Sequence, residues 1–88
     1  MIDSILKDFK LSKNKIDYIN LINKIRREYG SETKSVDSFN KYSKDTVYLI
    51  CRNHVKWGAY KEYQKELEEG QKLDLHYFFK EIESKLED

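Results

Sequence analysis

No proline interrupts the 88 residues, and the three glycines stand far apart, at positions 30, 58 and 70. A chain with so few obligatory breaks can hold long helices, because proline removes a backbone donor and glycine is costly in a helix interior. The apolar spacing uses that freedom. Ile2, Ile5, Leu6 and Phe9 follow i, i+3, i+4, i+7 spacing and predict a short amphipathic helix. A second helix is expected to begin near Asn14, with Asp17 favouring its positive end. Its apolar face is Tyr18, Leu21, Ile22, Ile25 and Tyr29, and Gly30 supplies a left-handed stop. Ser31 to Ser35 reads as a loop, and Val36 and Phe39, three apart, suggest a short helix capped by Ser35.

The longest element is expected from Ser43 or Asp45 to Glu69, with Gly70 as its terminator. Val47, Ile50, Cys51, His54 and Gly58 line one of its faces, but beyond Gly58 that face presents Lys61, Glu62 and Lys65. A different stripe carries Trp57, Tyr60, Gln64 and Leu67. Either Gly58 lets the helix bend or the second stripe meets another molecule. A last helix follows Asp74, with Leu75, Phe78, Phe79, Ile82 and Leu86 on one face and a Glu81–Lys85 pair outside. No strand is expected. The reading is all-α: one domain over residues 1–88, four or five helices around one aromatic-rich core.

Composition narrows the setting. No apolar run exceeds Val47–Cys51, which excludes a membrane span. The first residues lack a basic-then-apolar signal pattern, so the mature chain is expected to start where the gene does. A single cysteine fits a reducing cytoplasm. The net charge of +1 conceals a split: residues 1–61 carry 13 basic and 7 acidic groups, residues 62–88 carry 4 and 9. Such polarity can orient a charged partner.

Catalytic chemistry finds little to work with. The glycines are too dispersed for a phosphate-cradling loop. Cys51 and His54 share a helix face, but on the stripe read as buried, where a thiol is inert. Zinc could use Cys51 and His54 only if Asp74 and His76 folded back to them, and Asp74 reads first as a helix cap. The glutamates at 62, 66, 68 and 69 read as solvated helix exterior. Arg52 and Asn53 open the Arg-polar-x₄₋₆-His pattern of HEPN-type ribonucleases, yet no histidine follows at the required spacing. Neither an enzyme nor a cofactor nor a metal is expected.

The stretch Ser43-Lys44-Asp45-Thr46-Val47-Tyr48-Leu49-Ile50 resembles the turn and recognition-helix start of helix-turn-helix proteins of the excisionase type. The resemblance spans residues 35–57, with Asp37, Asn40 and Lys41 where that family has small, core and glycine residues. It implies a supporting helix at 36–40 and a reader from Lys44 to Trp57. Lys44, Asp45, Tyr48 and Arg52 would face the major groove of duplex DNA, with Ser43 or Thr46 on phosphate. Asn20, Lys24 and Arg27 form a further polar, basic stripe suited to the DNA backbone.

The aromatic residues support a different expectation. Twelve of the 88 residues are Phe, Tyr or Trp, more than so small a core needs. Tyr42, Tyr48, Trp57, Tyr60 and Tyr63 interleave with Arg52, Lys56 and Lys61, and Tyr, Trp and Arg are the residue types that anchor protein interfaces. The leading expectation is a non-enzymatic binding protein of phage or mobile-element type. It would inhibit by occupying the surface of a protein or nucleoprotein partner, as anti-CRISPR and immunity proteins do. Its expected contact residues are Tyr48, Arg52, Lys56, Trp57, Tyr60 and Tyr63, a surface that a homodimer could also use. A DNA-binding regulator is the alternative.

Overall fold

A computed structural model describes residues 2–70 and 74–87, apart from the side chain of Leu75. Four helices account for most of it: α1 (Ile2–Leu11), α2 (Lys15–Glu28), α3 (Lys44–Glu68) and α4 (Leu75–Glu87). No strand occurs among the described residues. None of the helices is long and apolar enough to cross a membrane.

Local chemistry sets the helix ends where the spacing expects them. The Asn14 side chain accepts from Asp17 N at 2.9 Å, and Asp17 Oδ2 accepts from Lys13 N at 2.9 Å, a reciprocal cap on α2. Gly30, at φ 81°, closes that helix while Ser31 N donates to Arg26 O at 2.8 Å. Only a residue without Cβ takes that φ cheaply. Ser43 caps α3 by accepting from Thr46 N, and Asp74 caps α4 by accepting from Tyr77 N. The short helix expected after Ser35 forms, but as one of 3-10 type and without the expected cap. Residues Val36–Phe39 make a single 3-10 turn, and Ser35 makes no side-chain cap. Its carbonyl instead accepts from Ser38 Oγ at 2.6 Å. Only Phe39 of this turn is buried, so it is a plug in the core rather than an amphipathic element.

The buried seam of α3 also differs from the expected one. Val47, Cys51, Val55, Ala59 and Tyr63 are buried, each four residues from the last, whereas Ile50 and His54 remain half-exposed. Four residues turn a helix about 400°, so such a ridge advances by roughly 40° per step around the cylinder. By Tyr63 it has wound from the side facing α2 to the side facing α4. The two conflicting stripes therefore need no break between them: α3 runs unbroken through Gly58 and is covered on different sides at its two ends.

Paired residues give the helix directions. Phe9 stacks on Tyr48, and Ile5 approaches Gly58, so α1 runs antiparallel to α3. Tyr18 meets Tyr48 and Tyr29 meets Trp57, so α2 runs parallel to it. Tyr60 lies on Phe79 and Arg52 on Glu83, so α4 returns antiparallel. The common core holds Ile5, Leu6 and Phe9 of α1, Ile19, Ile22 and Ile25 of α2, the α3 seam from Val47 to Ala59, and Ile82 and Leu86 of α4. At about 1.5 Å per residue, α3 is about 37 Å long, nearly the 42 Å long axis of the molecule. It is the central post. Among the described residues no helix covers the side of it where Leu49 and Leu67 are exposed.

Candidate recognition face

The uncovered side of α3 and the adjoining flank of α4 present Leu49, Lys56, Trp57, Tyr60 and Leu67 together with Phe79. Leu49 is 56% exposed, and Leu67 and Phe79 are each 42% exposed, so the face is open and partly apolar. Its rings are braced from below. Trp57 stands edge-on to Tyr29 at 5.7 Å between centroids, with Lys61 Nζ 5.7 Å above it. Tyr60 lies parallel to Phe79 at 6.1 Å. Beside them Glu83 holds Arg52 at 2.9 Å and also pairs with Lys56. Lys56, then Arg52, keep the Glu83 carboxyl below the usual carboxylate range. Exposed ion pairs of this kind contribute little stability. Their effect is to fix where two cations stand beside two rings.

The six expected contact residues thus divide. Arg52, Lys56, Trp57 and Tyr60 come together on this face. Tyr48 is half-buried and packs on Phe9 at 5.3 Å and Tyr18 at 5.5 Å, so it mainly closes the core. Tyr63 is corrected outright: it is 2% exposed and lies 4.5 Å from Phe78, underneath α4. Phe79, expected on the inward face of α4, joins the open surface instead.

The residues of the DNA reading are placed less coherently. The would-be supporting helix is the 3-10 turn, too short to brace a reader. Arg52 is engaged by Glu83, and Lys24 by Asp8 at 2.7 Å. Ser43 Oγ and Thr46 Oγ1 bond each other at 3.1 Å within the cap. Lys44, Asp45, Asn20 and Arg27 are exposed. Asn20 and Arg27 lie on α2, while Lys44 and Asp45 open α3.

Cys51 is fully buried, and burial alone pushes its thiol up to about 12. Among the described residues no three His, Cys, Asp or Glu side chains gather as a metal site would require. His76 is exposed in the first turn of α4. His54 is engaged elsewhere: its Nδ1 lies 2.9 Å from Ile50 O, and its Nε2 lies 3.3 Å from an Arg26 guanidinium nitrogen. Both contacts are satisfied by the neutral ring, with Nδ1–H donating and Nε2 accepting. Burial, with Arg26 and Lys34 nearby, lowers its pKa below the ordinary 6.5, against the pull of the Ile50 carbonyl.

The sign of the pH dependence follows. Below pH 6.5 the unfolded chain takes up a proton at this residue before the folded one does, so stability falls as pH falls. The melting temperature should therefore drop between pH 7.5 and 5.5, and His54→Gln should flatten that drop. A wild-type melting temperature constant over that range would contradict the tautomer assigned here.

Compared with protein-family models, with curated proteins and with solved structures, the chain shows no significant match.

Proposed function

We propose that this chain is a non-enzymatic binding protein that acts by occupying the surface of a macromolecular partner, in the manner of small phage or mobile-element inhibitors and immunity proteins. The observation that carries this reading is the braced row of Lys56, Trp57 and Tyr60 on the open side of α3 with Phe79 on the adjoining flank of α4. Rings and cations held in place before binding lose little conformational freedom on association, so more of the contact energy appears as affinity. A face about 37 Å long on α3 and about 20 Å long on α4, each about 8–10 Å wide, offers on the order of 500 Å². Against the roughly 800 Å² per partner of a standard specific interface, that suits a small interface.

Arg52 and Lys56 suit a partner with acidic groups around an apolar centre. The pairing with Glu83 leaves part of each cation's donor set for such groups.

The test is affinity capture from the native host with the wild-type chain and with the Tyr60→Ala/Phe79→Ala double variant. A protein or nucleoprotein held by the first and released by the second supports the reading. Retention on duplex DNA that falls steeply as salt rises would favour the regulator with a reader at residues 35–57. No retention on DNA at about 50 mM salt would dismiss that alternative.

A further inference from the structure

The open side of α3 has an internal symmetry that recognition of an unlike partner does not require. Leu49 and Leu67 are exposed and stand 18 residues apart, five full turns of helix, so they lie on one line. Between them Lys56 and Tyr60, both half-exposed, fall about 20° to either side of that line. Lys56 is seven residues from Leu49, Tyr60 four further on, and Leu67 another seven. The spacing is the same read from either end. Its midpoint is level with Gly58, which is buried on the far side of the helix.

An interface between two identical copies must be self-complementary, because each of its contacts occurs twice. A two-fold axis perpendicular to α3 and level with Gly58 sets a second copy of the helix antiparallel against the first. Leu49 of each copy then meets Leu67 of the other, about 13 Å to either side of the axis, and both leave water. Lys56 lies beside the other copy's Tyr60, where a cation–π contact is available. Arg52 and Lys56 already have Glu83, so the axis does not gather bare cations. Charge selects the direction. Around Leu67 stand Glu66, Glu68 and Glu69 against Lys65, and before Leu49 stand Lys41 and Lys44 against Asp45, all exposed. The antiparallel copy sets the acidic end on the basic end twice over and opposes the helix dipoles, whereas a parallel copy sets like on like. Two faces of on the order of 500 Å² bury about 1,000 Å² together, the size of a weak, transient interface.

We infer that the open face of α3 takes a second copy of this chain, antiparallel about a two-fold axis level with Gly58, as a weak and reversible dimer. The inference rests on the recognition face described above and gives it a second occupant. The dimer forms at high concentration and is displaced by a partner that binds the same face more tightly.

Sedimentation equilibrium of the full chain from about 10 µM to about 1 mM reads the association. The mean mass should climb towards twice the monomer with a dissociation constant on the order of 100 µM, the strength of a small interface. Leu49→Ser/Leu67→Ser changes two exposed positions, so the fold should be kept while that constant rises by about tenfold or more. Mild oxidation of added cysteines reads the register. A mixture of Leu49→Cys and Leu67→Cys chains should give a disulfide-linked pair of one copy of each. Either variant alone should stay unlinked, since like positions lie about 27 Å apart along the helix. Cys51 is fully buried and takes no part. Each variant linking to itself, a monomeric mass at about 1 mM, or a double serine variant that associates as the wild type does would overturn the inference. A chain that stays monomeric, yet loses a captured partner with Tyr60→Ala/Phe79→Ala, keeps the binding reading and assigns the face to that partner alone. The expected cross-links with no partner captured would support the dimer and remove that reading.

Discussion

Gly58→Leu should destabilise the protein by about 3 kcal/mol, the scale of overpacking a close-packed contact. A Cβ placed at Gly58 would lie 3.2 Å from Tyr29 Cε2 and 3.3 Å from Ile25 Cγ2, with Ile5 Cδ1 at 3.8 Å. Ile25 is fully buried and branched at Cβ, so it has little room to yield. Tyr29 is half-exposed and can swing slightly. Gly58→Ala is therefore expected near neutral, because the crowding is offset by about 1 kcal/mol of helix propensity. Ile25→Ala alone should cost about 3 kcal/mol as a cavity. Combined with Gly58→Leu it should cost clearly less than the two singly, since the leucine enters the space that the isoleucine vacates. Urea denaturation of the four proteins measures the coupling. Additive losses would mean that α2 and α3 do not meet at this point.

Tyr60→Ala should weaken partner binding by about 2 kcal/mol, within the range of interface hot spots, while leaving the fold intact. Tyr60 is half-exposed, and its described ring contact is the parallel one with Phe79 on the surface, so little core is lost with it. Trp57→Ala should weaken binding by more than about 1 kcal/mol, but with a measurable stability loss. Its ring also packs on Tyr29 and His54. Comparing the two separates recognition from support. Competition binding against the captured partner, with far-UV circular dichroism as the fold control, gives both numbers. Unchanged affinity in both variants would remove the face from the account.

What could be read from the sequence was what neighbours along the chain decide. Asn14, Ser43 and Asp74 act as caps because each reaches an amide three residues on. Gly30 and Gly70 take positive φ where helices end, and Glu81 and Lys85 meet one turn apart. The apolar face of α1 was equally legible, and that of α2 largely so, though Ile19, fully buried beside Tyr18, was missed. The long helix was different. Apolar residues occur around α3 on every side, and which of them are covered depends on where α4 docks. A stripe parallel to the axis selects Ile50 and His54 and leaves Tyr63 outside. The ridge in steps of four selects Val55, Ala59 and Tyr63 and carries them beneath α4. Spacing alone does not choose between these, because where α4 docks on α3 is decided by tertiary packing. The candidate site inherits the same division. Trp57, Tyr60 and the two cations were found by residue type, Tyr63 was misassigned, and Phe79 was missed because its helix was read as single-faced.

Side-chain oxidation footprinting of the chain, free and bound to the captured partner, tests the central claim most directly. Aromatic rings report their own exposure in such an experiment, without any substitution. The recognition face predicts that Trp57, Tyr60 and Phe79 lose reactivity together on binding, while Leu11 and Tyr42, elsewhere on the molecule, are unchanged. Protection of Leu11 and Tyr42 with Tyr60 and Phe79 still reactive would place the partner on another side and contradict the account.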